Sequence, residues 1–188
     1  LPRAKTEESF IYIVIAGIVM SISVSSLTAA RQRSYVVDTT ENLMGLFQSA
    51  RSKSLSNLEV TFSSVDCTVS QFRVSFDPGT ASDPDLMIFE GVPATASSTA
   101  CTSANDQTLE TKQIHPAVSV NPSNLGTLVS AQVGFVPPNA TVTFAGSILT
   151  GPPSTPAPAS AIFTIQTTDG RFTKTITLNG LTGIAEIN

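Results

Sequence analysis

Tryptophan is missing from this chain, histidine occurs once and cysteine twice, in 188 residues with a formal net charge of −4. Each scarcity closes off a class of chemistry. The sole histidine, His115, stands directly before Pro116 with no cysteine or carboxylate at metal spacing around it, so zinc sites and histidine-dependent triads have little to draw on. Ten Lys and Arg against 14 Asp and Glu give no electrostatic reason to expect nucleic acid. There is no glycine loop of the phosphate-cradling kind and no internal repeat. Asp83 and Asp85 are paired acids that in principle hold an ion or act as acid and base, but Asp83-Pro84-Asp85 reads first as a turn. The chain is therefore read as a non-enzyme, with no metal and no cofactor.

What the chain does have is one long apolar run. Phe10 to Ala30 is free of charge and proline and is followed at once by Arg31 and Arg33. As a helix it reaches roughly 30 Å, the thickness of a bilayer's hydrocarbon core. Two other readings compete. A buried helix of a soluble domain would show a polar face, whereas Phe10 to Met20 is apolar all round. A cleaved secretory signal would use the small residues Ser26 to Ala30 as its cleavage site. Arg3 and Lys5 before the run balance Arg31 and Arg33 after it, so charge leaves the membrane orientation open. Glu7 and Glu8 precede the run, and Glu8 is drawn toward the membrane boundary or is simply a solvated acid at a helix start.

Beyond the arginines the pattern turns amphipathic. Val36, Thr40, Leu43, Phe47, Ala50 and Ser54 recur at helical spacing, Val37, Met44 and Leu46 widen the stripe, and Asp38, Glu41 and Arg51 fall largely off it. One helix thus runs from the apolar block into a head, with Met20 to Ser26 its softest turn and Gly45 its weak point. From Leu58 onward the text is β: Leu58 to Ser63, Gln71 to Phe76, Leu86 to Phe89, Thr108 to Ile114, Leu125 to Phe135, Thr141 to Leu149 and Ile184 to Ile187. Ala161 to Thr168 and Arg171 to Leu178 form a hairpin around Asp169-Gly170, a favoured type I′ pair. Pro93 to Asp106 and the Pro-rich Gly151 to Ser160 read as loops. The expected fold class is α+β, an N-terminal helix packed on an antiparallel sheet or sandwich-like head. Its parts are a charged lead over 1–9, an apolar helix over 10–30, an amphipathic continuation over 31–56 and a β head over 57–188. If that head lies outside the cytoplasm, Cys67 and Cys101 read as a disulfide worth about 3 to 4 kcal/mol, with two buried thiols as the alternative.

An acid just before an apolar helix, an amphipathic continuation and a β head resembles the type IV pilin and type II secretion pseudopilin superfamily. The likeness is residue-level over Glu8-Ser9-Phe10-Ile11-Tyr12-Ile13-Val14-Ile15-Ala16-Gly17-Ile18-Val19. Ala50-Arg51-Ser52-Lys53-Ser54 and the closing Asn179-Gly180-Leu181-Thr182-Gly183 are similar to the minor-pilin subgroup. The family places Gly before its cleaved bond and Phe after it, where this chain has Arg3 and Ala4.

The resemblance implies a structural subunit of a prokaryotic surface filament. It would be held by its single span in the cytoplasmic membrane, then assembled by inner-membrane machinery with copies of itself and other pilins. Glu8, with Glu7 as understudy, would pair with a neighbour's N-terminal amine, and Phe10, Ile11, Ile13, Val14, Gly17 and Ile18 would pack the filament core. A single-span anchored adhesin shares nearly every feature, and Asn139-Ala140-Thr141, Ser154 and Thr155 offer it glycosylation sites. A DNA-uptake minor pilin is the other alternative, with Arg171 and Lys174 as contacts, although two cations make too little phosphate contact for tight binding.

Overall fold

No proline interrupts the chain from residue 4 to residue 55, and one helix, α1 (Ala4–Leu55), takes up the whole stretch. The computed structural model describes residues 4–56, 60–62, 65–79, 85–94, 106–125, 131–145 and 160–188, with side chains described outside 4–11, 22–25, 60–62 and 65–67. At 52 residues α1 is a rod of about 78 Å. The alternating stretch after Met20 stays helical, and the Ser21 hydroxyl donates to the Ile18 carbonyl at 2.8 Å.

The β elements are β1 (Val60–Phe62), β2 (Val65–Cys67), β3 (Val69–Asp77), β4 (Leu86–Pro93), β5 (Gln107–Gln113), β6 (Val118–Pro122), β7 (Gln132–Val136), β8 (Thr141–Ala145), β9 (Ser160–Thr167), β10 (Thr173–Asn179) and β11 (Ala185–Ile187). They form a β1-β2 hairpin, a four-stranded sheet ordered β11-β10-β9-β6 and a five-stranded sheet ordered β5-β4-β3-β7-β8, and every pairing is antiparallel. The fold is α+β, a long helix on a β-rich head.

The helical stripe is the seam of the core. Val36, Thr40, Leu43, Leu46, Phe47, Ala50 and Ser54 are all buried, and α1 meets both larger sheets. Phe47 packs on Phe163 of β9 at 5.3 Å between ring centroids, and Phe163 packs on Phe76 of β3 at 5.8 Å, so three rings join helix, four-stranded sheet and five-stranded sheet. Nearer the helix end, Lys53 lies over the Phe89 ring at 5.8 Å, and Phe89 tilts against Phe72. Alternation does the rest: Phe72, Val74 and Phe76 on β3 and Ala161, Phe163 and Ile165 on β9 face inward at every second position.

Three expectations change. Leu125 to Phe135 is not one strand, because Leu125 is a fully buried residue in the turn after β6 and the strand begins only at Gln132. Val118-Ser119-Val120-Asn121-Pro122 is a strand, pairing β9 and closing the edge of the four-stranded sheet, and β2 is a strand too short to show a period. The Asp169-Gly170 turn is not type I′: only Gly170, at φ +70°, has positive φ there, and Thr167 donates its N–H to Phe172 across a wider loop over 168–171. Asp169 accepts from the Thr167 hydroxyl at 2.6 Å and from the Arg171 N–H at 3.2 Å, which folds that loop without a second left-handed residue.

Two glycines on the same protein should respond in opposite senses to a methyl group. Gly45 lies in the helix with open space where a Cβ would go, so Gly45→Ala should raise stability by about 0.5 to 1 kcal/mol. Gly183 holds φ +65°, and a Cβ there would sit 3.1 Å from Val142 and 3.2 Å from Phe135, so Gly183→Ala should lower it by about 1 to 3 kcal/mol. Chemical denaturation of the full chain in detergent, followed by circular dichroism, reads both.

Candidate functional site

In the first half of α1 every residue from 12 to 21 is exposed. The most apolar window of the helix is wholly unburied, and it is long and apolar enough to cross a membrane. Tyr12 is 73% exposed and Met20 68%, and Ile13, Val14, Ile15, Ile18, Val19 and Leu27 are exposed on every side of the rod. Removing these side chains from water is worth about 1.5 to 3 kcal/mol each, a drive far larger than one helix turn can resist. Of the residues expected to pack a filament core, Ile13, Val14 and Ile18 are exposed, and Gly17 leaves a notch that a Cβ would occupy without contact. Glu7, Glu8, Phe10 and Ile11 lie on α1, and their side chains fall outside the described residues.

The head begins with no linker. Gln32 lies near Asp169 at the tip of the β9-β10 hairpin, and Tyr35 stacks on His115 with ring centroids 3.6 Å apart and planes 12° from parallel. His115 is held in place by its own turn, its Nδ1 accepting the Ala117 N–H at 3.0 Å. The Thr168 N–H donates to the Ala117 carbonyl, tying that turn to the hairpin. His115 is thus a packing residue of the junction, and its position beside Tyr35 could not be read from spacing.

Asp169 is the electrostatic anchor of the tip. The Thr167 hydroxyl, then the Arg171 N–H, then the Arg171 charge at 3.5 Å and Gln32 hold its carboxyl below the ordinary carboxylate range. Arg171 is otherwise open, its side chain 74% exposed, and Lys174 is exposed as well.

Several of the other expected sites fall outside the described residues. Cys67 lies on β2 and Cys101 lies outside the described residues, as do Asp83, Ser154 and Thr155. Asp85 accepts the Gly79 N–H at 2.9 Å and so serves its turn. Asn139 is exposed in the β7-β8 turn, beside the cis Pro137-Pro138 bond and Ala140 at φ 51°. Among the described residues no group of His, Cys, Asp and Glu is arranged to hold a metal.

Two features escaped the sequence. On the outer face of the five-stranded sheet Arg73 pairs with Glu90 at 2.6 Å and with Asp106, while the Ser75 hydroxyl donates to Glu90. Burial pulls the Arg73 guanidinium down, but the hydrogen bonds and charges of Glu90 and Asp106 outweigh it and hold the group above its ordinary value. The cluster clasps β3, β4 and the start of β5, residues 17 and 33 positions apart in the chain. At the far end, a cleft of about 390 Å³ between α1 and the last strand is lined by Phe47, Arg51, Leu55 and Ile184, with Arg51 Nε donating to the Thr182 carbonyl at 3.1 Å.

A depressed carboxyl pKa fixes the sign of a pH effect. The tip contacts of Asp169 are fully present above the unfolded value of about 3.9 and are lost as the pH falls through the lower folded one. NMR titration should find Asp169 protonating below the ordinary carboxylate range, with tip amides losing protection in step. Asp169→Asn should keep the tip hydrogen bonds and abolish that acid limb.

No family model, no curated protein and no solved structure matches this chain.

Proposed function

We propose that this chain is a structural subunit of a type IV pilus-like surface filament, assembled through the apolar half of α1 with the β head outward. The observation that carries the reading is the division of one helix: its later half is the seam of a folded head, and its earlier half holds a window apolar enough to cross a membrane, with residues 12–21 exposed all round. Such a rod needs a partner for its whole circumference. A bilayer supplies one before assembly, and neighbouring helices supply one in a filament core, where the notch at Gly17 lets backbones approach. The residue pattern from Glu8 to Val19 supports the second partner, because an acid at the edge of an apolar core is costly unless a cation meets it. In this reading the head lies outside the cytoplasm, Cys67 and Cys101 form a disulfide, and Asn139 on its exposed turn is open to glycosylation.

A single-span anchor carrying an adhesive head rests on the same observation and differs in one residue's importance. Glu8→Ala should leave membrane insertion intact in both cases. In a filament it strands a neighbour's amine in a dry core, a loss of about 3 to 5 kcal/mol, and incorporation should fall at least a hundredfold. Mass spectrometry of filaments sheared from cells, wild type against Glu8→Ala, measures it. Presence of the wild-type chain and loss of the variant support the filament, whereas absence of both, with the chain intact in membranes, leaves the anchor.

A further inference from the structure

Where α1 passes the last strand, the cleft of about 390 Å³ remains between them, with Phe47, Arg51 and Leu55 at successive turns of the helix on one side and Gly183, Ile184 and Ala185 on the other. Leu55, Ile184 and Ile187 are exposed, so apolar surface continues out of the cleft along β11. Ala185 and Ile187 stand opposite buried Leu178 and Ile176 in the ladder, and Ile176 stands opposite Phe163, which packs on Phe47. Their side chains therefore share the sheet face that looks toward α1, and Glu186, opposite Thr177, takes the other face.

Two stretches that stand out in the sequence, 50–54 and 179–183, meet in this cleft. Asn179 Oδ1 accepts the Leu181 and Thr182 N–H groups at 2.9 and 3.1 Å, and the Gly183 N–H donates to the Asn179 carbonyl, which fixes the turn. The turn presents the Thr182 carbonyl to Arg51 Nε at 3.1 Å. Gly183 leaves room for the arginine stem, since a Cβ there would come 3.4 Å from Arg51 Cδ. Arg51 is half-buried, and the ion pairs among the described residues use Arg73, Lys112 and Arg171 instead. With Nε anchored, the two terminal nitrogens of the guanidinium offer a planar fork that matches a carboxylate in shape and charge.

The backbone of β11 gives that carboxylate a direction. Thr175 and Asn188 exchange both of their N–H···O bonds, and the Asn179 N–H donates to the Ile184 carbonyl. By antiparallel alternation the N–H and C=O groups of Ala185 and Ile187 then point away from β10, to an edge that carries no strand among the described residues. An antiparallel strand added to that edge runs toward Gly183, and its C-terminal end arrives at Arg51. Its inward-facing side chains meet the cleft and the exposed flank of Leu55.

We propose that this cleft binds the C-terminal carboxylate of an extended peptide that adds an antiparallel strand to β11. Arg51 takes the carboxylate, the last side chain, an apolar one, sits among Phe47, Leu55 and Ile184, and the open groups of Ala185 and Ile187 pair with the peptide backbone. The three residues of β11 set the length of the grip. The site goes beyond the filament reading, because it lies in the head and works equally in a filament and on a single-span anchor.

The test is NMR titration of the full chain in nanodiscs with acetyl-threonyl-valyl-threonyl-leucine, as the free acid and as the C-terminal amide. Shifts should gather at Arg51, Ala185 and Ile187, and the free acid should bind about tenfold more tightly than the amide. Arg51→Gln should bring the acid down to the level of the amide. Ile187→Pro removes an N–H that β10 does not use, so it should leave the melting temperature in place and abolish binding of both peptides. Absence of shifts with the free acid, equal affinity for acid and amide, or binding that survives Ile187→Pro each overturns the proposal. Octanoate shifting Arg51 where the peptide does not overturns the peptide in favour of a fatty acid. None of these outcomes bears on the filament reading, which incorporation into sheared filaments decides.

Discussion

The unbroken backbone ladder of α1 is the constraint on which everything else rests. A helix satisfies its own N–H and C=O groups along its length, so it can leave the head as apolar surface without leaving polar backbone stranded in an apolar surrounding. Among the described residues no other element could do so, because each strand needs a neighbour. The head is built to hold that helix by one stripe only. Phe47, locked against Phe163 and through it Phe76, fixes the rotation of the rod about its axis, and Leu43, Leu46 and Ala50 fill the seam on either side. Whatever surrounds the free half of α1 therefore also fixes how the head is presented.

Two sheets end together at the junction with the free half of α1. β5 of the five-stranded sheet ends at Gln113, and β6 of the four-stranded sheet begins at Val118, opposite Thr167 at the end of β9. The tight turn between them closes the junction, where His115 lies flat on Tyr35 and the Ala117 carbonyl takes the Thr168 N–H. The junction is thus stacked and hydrogen-bonded rather than hinged. Thr40 turns its hydroxyl back to the Val36 carbonyl at 2.6 Å and is buried there without a cost in unpaired polar atoms.

Much of this was legible in the sequence, and the reasons are local. The stripe from Val36 to Ser54 announces a buried helical face because spacing alone sets which residues share a side. Strands with clean alternation, such as β3 and β9, announce themselves in the same way. What spacing cannot supply is pairing. That β3 takes β7 as its neighbour, or β6 takes β9, depends on contacts dozens of residues apart, so the division into two sheets was not visible. Nor was the clasp of Arg73 with Glu90 and Asp106, or the stack of His115 on Tyr35. The β6 strand hid behind Pro122, which an edge tolerates because its missing N–H faces outward. The roles expected of Glu8 and of the Cys67 and Cys101 pair fall on side chains outside the described residues, so for them the sequence remains the only guide.

The hairpin tip shows how a correct local signal can yield the wrong geometry with a structural consequence. Asp-Gly favours a two-residue turn because both central positions then take positive φ. Here the preceding Thr167 offers its hydroxyl to Asp169, the carboxylate is held by that bond and by the Arg171 N–H, and only Gly170 needs a left-handed backbone. The loop widens to 168–171, and its first N–H, that of Thr168, donates to the Ala117 carbonyl in the turn that carries His115 onto Tyr35. The same side-chain competition that defeats the turn rule therefore shapes the loop by which the hairpin is tied to the junction.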